Sequence, residues 1–194
     1  MHSSTRARLL LAAAVLLLSA APAARAQETD DERKFGYVPG TENGPGNWSR
    51  LDPRWAKCNT GNMQSPIDLS HERLMRNLGY LDYSYLPAEA SMVNRGHDIE
   101  VKFMGNAGRV VINGKAYKLK QLHWHTPSEH TVNGRRYDME LHLVHDDGNS
   151  NTAVIGNLYQ IGNPDPFLLM VCLISTRNCY GNFAGLTATL SILL

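Results

Sequence analysis

Between residues 98 and 161 apolar and polar positions alternate in short runs separated by turn dipeptides. Ile99, Val101 and Phe103 fall on one face of a strand, with Asp98, Glu100 and Lys102 on the other. Asn113-Gly114, Asn133-Gly134 and Asp147-Gly148 supply the positive φ angles of tight hairpin turns. Strands are therefore expected over 109–112, 115–125, 137–145 and 152–161, and the class is mainly β. A short helix is expected over 70–78, where Ser70 can cap, Leu74 and Leu78 are four apart, and Gly79 ends the run. Residues 27–46 are polar and rich in charge, Gly and Pro, which reads as an extended arm wrapping the domain.

The start of the chain breaks this pattern. Residues 9–24 are nearly all Leu, Ala and Val, preceded by Arg6 and Arg8 and closed by Ala24-Arg25-Ala26. A basic start, an apolar run of about 15 residues and a small-x-small exit describe a secretory leader over 1–26, whereas a spanning helix needs about 20 apolar residues. The expectation is entry into the secretory pathway and an extracellular or apoplastic destination, with a plastid reached through the same route as the alternative. No stable membrane span is expected once the leader is removed.

The whole chain has 194 residues and a formal net charge of +1, and the leader contributes Arg6, Arg8 and Arg25 with no acid. The chain beyond the leader is slightly acidic, which excludes a strongly basic nucleic-acid binder. Export allows Cys58, Cys172 and Cys179 to pair, and their odd number leaves at least one without an intramolecular partner. Asn47-Trp48-Ser49 is a glycosylation sequon. Residues 172–194 carry one charge, Arg177, and do not continue the alternation. They read either as a buried C-terminal strand or as a foreign end from an altered frame or retained intron.

The chemistry is densest at Gln121-Leu122-His123-Trp124-His125. On a strand Gln121, His123 and His125 share one face, and imidazoles about 7 Å apart along it can lean onto one metal ion. Glu140-Leu141-His142 adds a third His on the same parity as a carboxylate two residues earlier. Folding back about Asn133-Gly134 in simple register places His142 opposite His125. Three imidazoles on zinc leave a fourth tetrahedral position for water, whose pKa falls to near 7 on the uncancelled dication. Gln121 and Glu140 can accept hydrogen bonds from the ligand imidazoles and so fix their tautomers. Trp124, Phe103 and Leu143 read as core packing, and His130 and His145 as hydrogen-bonded core residues.

These residues and their neighbours resemble the α-class carbonic anhydrases, most of all the secreted plant and bacterial members. The resemblance runs over 35–171 in seven collinear pieces: Phe35-Gly36-Tyr37, Asn43-Gly44-Pro45 with Trp48, Gln64-Ser65-Pro66-Ile67-Asp68, Asn94-Arg95-Gly96-His97, 121–125, Ser128-Glu129-His130 and 140–145. It implies a large twisted, mostly antiparallel central sheet and reversible hydration of carbon dioxide to bicarbonate and a proton by zinc-bound hydroxide. It implies His123, His125 and His142 as zinc ligands with Gln121 and Glu140 behind them. His97 becomes the proton shuttle, suited by an ordinary imidazole pKa of about 6.5. Tyr37 lines the water path, Val144 walls the carbon dioxide pocket, and Glu129 orients the hydroxide through a Thr hydroxyl.

That Thr belongs to a Leu-Thr-Thr-Pro-Pro block, and this sequence has Leu186-Thr187-Ala188-Thr189 instead. The cysteine that the family pairs with Cys58 lies just beyond the same block and is likewise missing. Measured against the family, the domain is expected to be incomplete, with its C-terminal strands missing after Val171. This leaves two alternatives to an enzyme: a zinc-binding storage-type relative without turnover, or an inactive truncated product. Arg95 replaces an Asn common in the family, and a cation there would depress the pKa of His97.

Overall fold

The computed structural model describes residues 35–70, 81–95, 98–174 and 186–193. The leader, the helix expected after Ser70, His97 and Cys179 lie outside the described residues.

Among the described residues eleven strands run in chain order: β1 Asp68–Leu69, β2 Asp82–Tyr85, β3 Ala90–Asn94, β4 Ile99–Phe103, β5 Gly108–Ile112, β6 Lys115–His125, β7 Thr131–Val132, β8 Arg135–Arg136, β9 Met139–Asp146, β10 Thr152–Ile161 and β11 Leu186–Leu193. Eight form one sheet in the order β11-β10-β9-β6-β4-β3, with β5 also beside β6 and β2 outside β5. Its pairings are antiparallel. The 11-residue β6 is the spine: its first half pairs with β5, its second half with β4, and its other edge with β9. The three positive-φ hairpin dipeptides sit at β5–β6, β7–β8 and β9–β10, with Asn113, Asn133 and the glycines at 114, 134 and 148 in the left-handed region.

Strict alternation fails at one place in β6, and the failure is useful. Leu119 pairs with His145 and Gln121 with Val144, so Lys120 is an extra residue in a bulge. The bulge lets odd-numbered Leu119 join Leu122 and Trp124 in the core, while Gln121, His123 and His125 take the opposite face. The core is built from Leu119, Leu122, Trp124, Met139, Leu141, Tyr159 and Leu168. Phe103 and Leu143 are partly buried against it.

Simple register about Asn133-Gly134 holds only at the hairpin tip, where Thr131 faces Arg136. Further down, His142 lies opposite His123, and His125 opposite Glu140, a correction of two residues. From His125 to Thr131 the chain takes two more steps than its partner does from Arg136 to Glu140, because Pro127 cannot donate to the ladder and 126–130 bulge out. An even slip preserves parity, so His142 stays on the same face.

The tail contains a strand, as one reading of the sequence expected, preceded by a helix that the sequence pattern does not announce. Helix Pro166–Ile174 crosses Val171, opened by Asp165, whose carboxylate accepts from the N–H groups of Phe167 (2.8 Å) and Leu168 (3.1 Å). Its residues are apolar on every side, which hides a helical period in the sequence. Beyond it, β11 pairs with β10 at the sheet edge. Residues 35–46 do not extend along the domain: Gly36 N–H bonds Asn43 O at 2.7 Å, so this segment folds back on itself. Cys58 is exposed and, among the described residues, forms no disulfide. Among the described residues no helix is long and apolar enough to cross a membrane.

Candidate metal centre

β6 and β9 bring His123, His125 and His142 together on the face opposite the core. One donor nitrogen from each lies within 4.8 Å of the others, and all three side chains are buried. The ring centroids are 4.7 Å (His123–His125), 5.0 Å (His123–His142) and 5.1 Å (His125–His142) apart.

Hydrogen bonds assign the tautomers. Gln121 Oε1 lies 2.8 Å from His123 Nδ1 and can only accept, so the proton sits on Nδ1 and Nε2 carries a lone pair. Glu140 Oε1 lies 2.9 Å from His142 Nε2, leaving the lone pair on Nδ1. Those two lone-pair atoms face each other at 3.2 Å in a buried setting. Two opposed lone pairs with a third imidazole beside them fit a cation: the set is three neutral nitrogens, the donor set of open, catalytic zinc.

Glu140 is fully buried and accepts four hydrogen bonds. Oε1 takes His142 Nε2–H and His130 Nδ1–H (2.7 Å), and Oε2 takes the backbone N–H groups of Glu129 (2.8 Å) and His130 (2.9 Å). Burial alone would raise its pKa, but the hydrogen bonds from His130 and His142 outweigh that and hold the carboxyl well below the ordinary range. His130 Nε2 in turn lies 3.1 Å from Ser65 Oγ. Sequence reasoning placed His130 in the core without seeing that it is the second strut of Glu140. The 65 positions between Ser65 and His130 leave no local signal for that link.

Tyr37 donates to Glu129 Oε1 at 2.6 Å and lies 3.2 Å from His125 Nδ1. Burial, and then the neighbouring Glu129 carboxylate, raise the phenol far above its usual pKa, so it keeps its proton. Glu129 Oε2 lies 3.6 Å from His125 Nε2 and 3.8 Å from His142 Nδ1, beside the lone-pair atoms. Val144 stands on the metal face between Gln121 and Val154 in register. Arg95 does not act as a lone cation: it pairs with Asp98 and Glu100, Nη1 lying 2.8 Å from Glu100 Oε2. The Arg95 charge is therefore offset by two carboxylates, while His97 itself lies outside the described residues. His145 lies on the other face, with Nδ1 on Ala153 O (3.2 Å) and Nε2 on Tyr85 Oη (3.0 Å).

The model of the eukaryotic-type carbonic anhydrase matches residues 43–172, which include every residue of this cluster except Tyr37. The chain belongs to that family. Alpha carbonic anhydrase 5 of Arabidopsis thaliana is 53% identical over 146 residues, covering 73% of this chain and 53% of that protein. Among solved structures, dioscorin complexed with ascorbate superposes with a TM-score of 0.66 at 39% identity, covering 84% of this chain and 67% of that one. The α-carbonic anhydrase of Thermovibrio ammonificans with the inhibitor sulfanilamide gives a TM-score of 0.63, also at 39% identity, over 72% and 61%. The chain spans about half the length of the curated relatives it matches.

Proposed function

We propose that this carbonic anhydrase relative holds zinc on His123, His125 and His142 and interconverts carbon dioxide and bicarbonate. The carrying observation is the buried three-imidazole cluster, with the lone pairs of His123 and His142 opposed at 3.2 Å. When bound, zinc supplies a Lewis acid that turns water into a nucleophile at neutral pH.

The chain's own residues do the rest. Gln121 and Glu140 hold two ligand rings in the tautomers that bind. Val144 walls an apolar place for an uncharged linear substrate, where position rather than charge must be supplied. Glu129, held by the Tyr37 hydroxyl, keeps an acceptor-only carboxylate beside the reacting position. His97 is assigned the export of the proton to buffer. His97→Ala should slow turnover in weak buffer and be rescued by imidazole, and an unchanged rate would remove it from that role. We also propose that the leader over 1–26 directs export, so that a mature chain begins at Gln27.

The test is carbon dioxide hydration by the zinc-loaded chain with and without a sulfonamide that competes for the open metal position. Inhibitable turnover is expected, and zinc binding without turnover would overturn it. That second outcome is the mark of a zinc-binding relative without turnover. It is favoured by one observation: Glu129 Oε1 is already engaged by the Tyr37 hydroxyl.

A further inference from the structure

Each imidazole that binds a metal through one nitrogen needs an acceptor for the N–H on the other, or its ring samples the wrong tautomer. For His123 and His142 the acceptors sit two residues away on the same strand, Gln121 and Glu140. His125 ends β6, and the residue on its other nitrogen comes from 88 positions earlier: Tyr37, with Oη 3.2 Å from Nδ1.

A phenol is an ambiguous partner, because its oxygen both donates and accepts. Glu129 removes the ambiguity. Its Oε1, which can only accept, takes the phenol hydrogen at 2.6 Å, and that leaves Tyr37 Oη with lone pairs alone for His125. Nδ1 must then carry the proton. In the opposite tautomer two lone pairs would face each other across the 3.2 Å between Oη and Nδ1.

The tyrosine is held firmly enough for this task. Its ring packs edge-on to Phe35 and Trp48, each at 5.8 Å between centroids. Trp48 Nε1–H is in turn anchored on Gly36 O (3.1 Å) and Asn43 O (3.2 Å), which ties the folded-back loop to the ring beneath it. The Tyr37 and His125 rings themselves meet edge-on at 6.3 Å.

We propose that Tyr37 is the positioning residue of His125: with its hydrogen drawn off by Glu129, it sets the Nδ1–H tautomer and aims Nε2 at the metal. This rests on the three-histidine reading of the site. It makes the N-terminal loop part of the metal centre, so all three ligands have a partner of their own.

The experiment uses the full chain and Tyr37→Phe, which deletes one oxygen and keeps the ring cluster. Two quantities are read: zinc affinity by competition with a chelating dye, and the His125 tautomer in the metal-free protein by imidazole ¹⁵N NMR. Near-ultraviolet circular dichroism checks that the aromatic packing is retained. Native His125 should be Nδ1–H. In Tyr37→Phe that tautomer should lose its dominance and zinc affinity should fall about 10- to 100-fold. Native affinity and an unchanged tautomer in the variant overturn the proposal. A native chain that binds no zinc overturns the metal reading instead, and the tautomer measurement still decides the role of Tyr37. Glu129→Ala is the second variant: it should also weaken the Nδ1–H preference, because the phenol hydrogen is then free to turn towards His125, and no effect there contradicts the role given to Glu129.

Discussion

Glu140→Gln swaps one oxygen for an amide nitrogen without changing shape, yet it should disable the metal centre. Two of the four donors on Glu140 are backbone N–H groups of Glu129 and His130, which cannot reverse, so the amide oxygen must face them. The NH₂ group then faces His130 Nδ1 and His142 Nε2, both donors in the native chain. The repulsion is relieved only if both imidazoles change tautomer. For His142 that moves the proton to Nδ1, the atom 3.2 Å from His123 Nε2 that faces the metal. Zinc must then displace a proton that the new amide stabilises. The loss should be about 10- to 100-fold in affinity, or about 1.4–2.8 kcal/mol at 1.4 kcal/mol per decade. Weaker bonds to an uncharged acceptor should lower stability by a further ~1–3 kcal/mol in the metal-free chain. A chelator-competition titration reads the first quantity and urea unfolding of the apo chain the second. A variant that binds zinc within about twofold of native would refute the tautomer reasoning.

Gly108 has φ +95°, and a Cβ there would collide with Ser84 O across the β2–β5 pair, so Gly108→Ala should cost more than ~1 kcal/mol in denaturant unfolding; unchanged stability would contradict that backbone conformation. Burial lowers the pKa of His145 from its ordinary value near 6.5. Because the folded value lies below the unfolded one, its contribution is present above about pH 6.5 and is lost as pH falls through the folded pKa. Stability measured against pH should therefore decline below 6.5, and His145→Phe should flatten that decline; an identical slope would show that His145 stays neutral for no energetic reason.

Much of this architecture is legible in the residues alone. The strands flanking Asn113-Gly114 and Asp147-Gly148 could be read because the dipeptide and the alternation agree, and local propensity and burial then act together. Gln121, His123, His125, Glu140 and His142 could be grouped because parity survives any even slip in register. The slip itself was hidden, since it depends on how 126–130 bulges around Pro127. The helix starting at Pro166 was hidden for a different reason: a segment apolar on all sides has no period to read. Links through space left no trace at all, and so the Ser65–His130–Glu140 chain and the Tyr37–His125 contact emerge only from the fold. Arg95 shows the converse error, a charge read by itself whose partners Asp98 and Glu100 were in plain sight three and five positions on.

The central claim is that three imidazoles, and no thiolate, hold one zinc ion. X-ray absorption at the zinc edge of the full, zinc-loaded chain tests it most directly, because scattering distinguishes nitrogen at about 2.0–2.1 Å from sulfur at about 2.3 Å. The expected result is one zinc per chain with three imidazole nitrogens and one lighter oxygen or nitrogen neighbour. A sulfur shell from Cys58, Cys172 or Cys179, or a spectrum unaltered by His142→Ala, would contradict it.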